Sequence, residues 1–99
     1  MSVQNEQAVL GGLLDGADVP RLDEHHFAEP IHQELFAELK RRAETDVPRD
    51  AVSMKAWWSA KPYAAEMDAD HPYLAELQFN APSHESVQAY ADQVKADHD

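Results

Sequence analysis

Ninety-nine residues leave room for one domain around one modest core. Nineteen acidic residues against eight basic ones give a formal charge of −11. That balance argues against direct nucleic-acid binding, which rests largely on neutralising phosphates with Lys and Arg. The chain has no cysteine, which excludes a disulfide framework, a thiolate metal site and a cysteine nucleophile.

The charge is uneven. Lys40, Arg41, Arg42, Arg49, Lys55 and Lys61 cluster in the middle, and Lys95 is the only basic residue after Pro62. The expectation is one mildly basic face and one strongly acidic end, serving either solubility or the docking of a basic partner. The first residues carry no basic region ahead of an apolar run, so neither a signal peptide nor a membrane span is expected. A cytoplasmic setting is expected from the lack of disulfides and of a leader.

The predicted elements are helices. Val9, Leu10, Leu13 and Leu14 mark one face of the first, with Asn5 or Ser2 as its cap and Gly16 free to close it in the left-handed conformation. Gly11 and Gly12 lie inside that helix, where each costs roughly 1 kcal/mol relative to Ala. A second backbone packed closely against them is the simplest compensation. Residues 17–29 read as broken chain with one or two helical turns, anchored by Leu22 and Phe27. Pro30 suits the first position of a helix running to about Ala43, with Ile31, Leu35, Phe36 and Leu39 inward and Glu38 paired to Arg42.

The segment 44–49 is a connector. Asp50 then caps a helix carrying Val52, Met54, Trp57 and Trp58, which Pro62 stops. Residues 63–71 read as irregular. Pro72 opens a short helix with Tyr73, Leu74 and Leu77, and Asn80-Ala81-Pro82 ends it. Ser83 caps the last helix, whose stripe is Val87, Tyr90, Ala91 and Val94. No strand or hairpin signal occurs. The fold class is all-α: one domain over 1–99, a compact bundle of five or six short helices.

Catalytic motifs are lacking. The glycine run 11–16 is followed by no Lys-Ser or Lys-Thr and preceded by no strand pattern, so it is not a phosphate-binding loop. His25, His26, Glu29 and His32 fall within eight residues, but Pro30 interrupts any helix that would align them as ligands. They read as surface histidines, with His32 packed near Phe36. Asp68, Asp70 and His71 lack the glycine and glutamate of a calcium loop. No catalytic residue, metal site or cofactor is expected. Trp57 and Trp58 point about 100° apart on a helix, so the expectation is divided between both in the core and one in the core with Met54 while the other sits at a rim or partner surface. The candidates for a partner interface are Trp57, Trp58, Arg41, Arg42 and Tyr90.

The anchors also form a recognisable series. Glu6-Gln7-Ala8-Val9-Leu10-Gly11-Gly12-Leu13-Leu14 opens it, and Phe27, His32, Phe36 and Leu39 follow. Asp50 precedes the Trp pair, Tyr73-Leu74-x-x-Leu77 leads to Ala81-Pro82-Ser83, and Tyr90-Ala91-x-x-Val94 closes. From about Val3 to Lys95 this resembles the N-terminal domain of DnaB-type replicative DNA helicases. Asp70-His71-Pro72 departs from the Gly-Gly turn often found there in the family. The resemblance implies a compact helical head that does not hydrolyse ATP. It further implies a share in ring assembly through self-association, and in the docking of primase and helicase loaders. The family's ATPase motor has no counterpart in these 99 residues. The chain therefore reads either as an excised head or as a standalone phage or prophage relative that mimics the head and regulates replisome assembly.

Overall fold

Helix α1 (Val3–Leu14) is the element against which the long second helix and the last two helices pack, and its sequence shows why. Val9, Leu10, Leu13 and Leu14 are fully buried, and so are the two glycines between them. Such a helix is covered on more than one side. A computed structural model describes residues 3–98, so the capping role expected of Ser2 lies outside the described residues. Asn5 sits within α1 rather than ahead of it. The other end closes as expected. Gly16 adopts φ +100°, its N–H donates to Leu13 O, and the Ala17 N–H donates to Gly12 O. This is the paired arrangement of a glycine-terminated helix. Arg49, from the connector, adds a 2.9 Å bond to Leu13 O.

Leu22 and Phe27 reach the core from the irregular stretch, which holds one 3-10 turn at Glu24–His26. Helix α2 (Pro30–Glu44) follows with Pro30 in its first turn. Its buried stripe is His32, Leu35, Phe36 and Leu39. Ile31, expected on that stripe, is only partly buried, and a histidine takes the inward position. Phe36 packs against Phe27, the rings tilted by 37° with centroids 5.0 Å apart. At the end of α2, Asp46 takes φ 57° and Val47 N–H returns to Arg42 O at 2.8 Å, the closure seen after α1 without a glycine.

The middle of the chain is more broken than its periodicity suggested. Asp50 accepts from both the Ser53 hydroxyl (2.6 Å) and the Ser53 N–H (3.2 Å), so it caps a turn, and regular helix α3 covers only Lys55–Ser59. Val52 therefore points outward, at 83% exposure, instead of joining Met54 in the core. Trp58 packs inside beside Met54, while Trp57 is half-buried at the rim. Residues 63–71 are not wholly irregular. Ala64–Met67 forms a helical turn, α4, because Ala64 is buried and Tyr63 and Met67 pack against the core. Helix α5 (Tyr73–Phe79) buries Leu74 and Leu77. Ser83 opens a 3-10 turn at His84–Ser86 that leads into α6 (Val87–His98). The Ser83 hydroxyl meets the Ser86 hydroxyl rather than a backbone N–H. Val87, Ala91 and Val94 are buried, whereas Tyr90 is 37% exposed. Among the described residues there are six α-helices and no strand.

The two mid-helix glycines face two different neighbours. A Cβ on Gly11 would overlap the Leu77 carbonyl oxygen and lie 3.5 Å from Ala81 Cα. A Cβ on Gly12 would overlap a methyl of Val87. Gly11 thus lets the backbone of α5 approach α1, and Gly12 seats the first residue of α6. Gly11→Ala should destabilise by about 1–3 kcal/mol in urea unfolding, despite Ala's better helix propensity, because only backbone could yield. Gly12→Ala should be milder, and Val87→Ala should recover part of its loss, because there a side chain can be trimmed. Equal stability of Gly11→Ala and the natural chain would disprove the close approach.

Candidate interaction surfaces

The interior holds one polar chain, and it was not foreseen. Glu6 occupies the inward face of α1 and is almost fully buried. Its Oε1 lies 2.7 Å from His32 Nδ1 on α2, and its Oε2 accepts the Ala28 N–H at 2.9 Å. The other ring nitrogen of His32 lies 2.6 Å from the Tyr73 hydroxyl at the start of α5, and Gln7 Nε2 donates to that hydroxyl at 3.2 Å. A carboxylate only accepts. A Glu6 carboxylate therefore accepts from His32 Nδ1, and the direction of the Nε2–Tyr73 bond follows the tautomer of the ring. Burial pushes the Tyr73 phenol above its usual range, reinforced by the carboxylates of Glu29, Glu6 and Glu76 and opposed by Gln7. Every buried side-chain polar atom among the described residues has a partner. The chain joins α1, α2 and α5 and so holds these helices together.

The remaining histidines lie apart from this chain. His25 and His26 stand on the 3-10 turn with Asp23, and the His98 ring lies edge-on to both. Asp23 and His26 already serve each other. The Asp23 N–H donates to His26 Nδ1, and the Asp23 side chain caps the turn. Glu29 precedes α2 and acts on the polar chain through its charge on Tyr73. Asp68 is likewise employed: it accepts the Trp58 indole N–H at 3.1 Å and the Tyr73 N–H at 2.9 Å, tying α3 to the first turn of α5.

Of the expected interface residues, Arg42 is engaged internally. It bonds to Glu38 at 2.7 Å and to the carbonyls of Pro48 and Ser53, holding the connector against α2. Arg41 is exposed and bonds to the same Glu38 through two nitrogens. Trp58 is 3% exposed. Trp57 is half-buried under Lys61 Nζ, which lies 4.5 Å from its ring centroid and 3.3 Å from Glu34. Tyr63 also donates to Glu34, and that bond holds the Glu34 carboxyl below its usual range. Tyr90 stands alone on α6, half open to solvent.

The most exposed large apolar residues lie elsewhere. Phe79 is 89% exposed and Val52 83%. Between them are two hollows that share Pro72 and Ala75. One, of about 270 Å³, runs from Ala51 and Val52 over Trp58 to Leu74. The other borders His71, Glu76 and Phe79. Gln78 of α5 fixes the rim by accepting the Ala51 N–H at 2.8 Å. A third hollow, bordered by Gln4, Gln7 and Ala8 of α1 and sharing Tyr73, Glu76 and Asn80 with the other two, opens between α1 and α5.

These surfaces surround a fold with a known pattern. The model of the DnaB-like helicase N-terminal domain matches residues 1–96. The chain belongs to the DnaB-like helicase N-terminal domain family. It is 32% identical to the replicative DNA helicase DnaB of Buchnera aphidicola subsp. Baizongia pistaciae (strain Bp), across 95% of this chain and 21% of that protein. The chain thus spans about a fifth of that relative's length. No solved structure matches it. Within the DnaB-like N-terminal fold described here, no helix among the described residues is long and apolar enough to cross a membrane.

Glu38 supplies a pH test of the α2 surface. Its side chain is only 12% exposed, and the Arg41 guanidinium beside it, then Arg42, hold its carboxyl down at about 2 against an ordinary 4.5, with desolvation opposing. A carboxyl depressed on folding contributes stability that is whole above pH 4.5 and is lost as pH falls toward 2. Glu38→Gln should therefore destabilise by on the order of 1 kcal/mol at pH 7, allowing for solvent screening. The difference from the natural chain should shrink in thermal melts taken from pH 5 down to 2.5. A difference that is constant or growing over that range would contradict the pairing.

Proposed function

We propose that this domain is a non-catalytic interaction head of a replicative DNA helicase. In this reading it contributes to ring assembly through contacts with its own kind, and it helps receive primase or a helicase loader. Membership of the DnaB-like N-terminal family over residues 1–96 carries the proposal. The physical character of the chain supports it. Its buried Glu6 and His32 are occupied in packing, its charge of −11 disfavours phosphate backbones, and it exposes the large apolar side chains of Phe79 and Val52. DNA contact and ATP hydrolysis would then fall to other parts of such a helicase.

The head reading predicts binding without catalysis. Fused to the rest of its cognate helicase, the domain should be needed for co-sedimentation with the cognate primase or loader. The 99-residue chain should lack ATPase activity above buffer. Retention of full primase and loader binding, and of ring assembly, by a helicase deleted for these residues would refute the proposal.

A further inference from the structure

We propose that the outward face of α5, with the Ala51–Val52 turn beside it, is a groove for a basic amphipathic helix of a partner protein; the idea rests on the interaction-head reading and gives it a surface. Helix α5 is apolar on two sides. Leu74 and Leu77 face the core. Pro72, Ala75 and Phe79, at i, i+3 and i+7, form a second stripe that faces solvent. Among the described residues, all three side chains of this second stripe are exposed. A solvated aromatic such as Phe79 is best explained by an occupant, since large exposed apolar groups set around hollows mark binding sites.

The shape of the face fits a helix laid along it. The hollow over Trp58 is about 270 Å³, room for one aliphatic side chain inserted between Val52 and Ala75. The second hollow lies further along α5 and takes a neighbouring apolar residue against Phe79. Two anchors spaced along one face are what an amphipathic helix presents at i and i+3 or i+4. The floor is fixed rather than soft. Asp68 holds the Trp58 indole and the first N–H of α5, and Gln78 holds the rim at Ala51.

Charge selects the occupant. Exposed Asp70 and Glu76 stand beside the stripe, and Lys55 is the one lysine or arginine lining either hollow. From Pro62 onward the chain holds eight acidic residues and one Lys. A second copy would bring the same acidic half and a charge of −11 against this face. A helix with Lys or Arg flanking its apolar anchors would instead meet opposite charge, which favours encounter and register.

The test uses the 99-residue chain, ¹⁵N-labelled, titrated with an 18-residue Leu/Lys amphipathic helical peptide and with its Leu/Glu analogue. The Leu/Lys peptide should shift amide signals within 51–59 and 70–80 and should weaken with added salt. The Leu/Glu peptide should bind at least tenfold more weakly. Val52→Ser combined with Phe79→Ala changes two exposed side chains, so its thermal melt should match the natural chain while Leu/Lys affinity falls at least tenfold. Shifts confined to other helices, undiminished binding by the double variant, or equal binding of the two peptides would overturn the proposal. So would a dimer of the free chain that Phe79→Ala dissolves, because the occupant would then be a second copy. If the groove fails while the helicase still needs this domain to bind primase or loader, only the placement is wrong. Loss of that requirement would remove the reading itself.

Discussion

A carboxylate taken out of water must find partners, and Glu6 finds them on two other parts of the chain. It draws His32 of α2 and the Ala28 N–H to α1, and His32 in turn holds Tyr73 at the head of α5. Apolar contacts alone would let short helices slide and rotate at modest loss. A buried acceptor that needs donors at 2.7 and 2.9 Å tolerates one arrangement. Three helices of unequal length thereby acquire a fixed geometry. The seven-residue α5 depends on this most, because it is too short to be stable by itself.

The glycines act in the same place by opposite means. Gly11 removes a side chain so that the backbone of α5 can come close, and the hydrogen-bonded chain then fixes how α5 is turned. Once Tyr73, Leu74 and Leu77 are committed inward, the helical period sends Ala75 and Phe79 outward. The outer stripe of α5 is therefore a consequence of the inner chain. The link from sequence to function runs through one helix. Polar partners orient it, glycine lets it approach, and its unused face is what a partner would meet.

Much of this architecture was readable from local pattern. The glycine-closed end of α1, the start of α2 at Pro30 and the inward Val87, Ala91 and Val94 of α6 follow from periodicity and caps, which act over a few residues, whereas Asn5 lies inside α1 and Tyr90 off the buried stripe. The pair of interior glycines correctly announced a close neighbour, although sequence could not name α5 and α6. The angular separation of Trp57 and Trp58 allowed for one inside and one at the rim, but only the fold assigns Trp58 to the core. The polar chain escaped because Glu6 and His32 are 26 residues apart and His32 and Tyr73 are 41 apart, beyond any local rule. A signal was present: Glu6 lies three and four residues before Val9 and Leu10, and His32 three before Leu35, so both polar residues sit on apolar stripes. Val52 misled in the opposite direction. Its spacing suited a helix face, but the Asp50–Ser53 turn keeps that stretch out of regular helix and leaves the side chain in solvent. Arg42, expected at a partner surface from its charge, was already bonded to carbonyls that only the folded connector brings near.

The orientation of α5 depends on Glu6 and His32 acting as one unit. A double-mutant cycle measures this directly, with Glu6→Leu, His32→Leu and the pair compared by urea unfolding. Each single change strands a buried polar partner and should destabilise by roughly 3 kcal/mol or more. The double change removes both and should fall short of the sum of the singles by about 2 kcal/mol. Single changes that add to within about 0.5 kcal/mol would show that the two side chains are merely neighbours, and that α5 is oriented by something else.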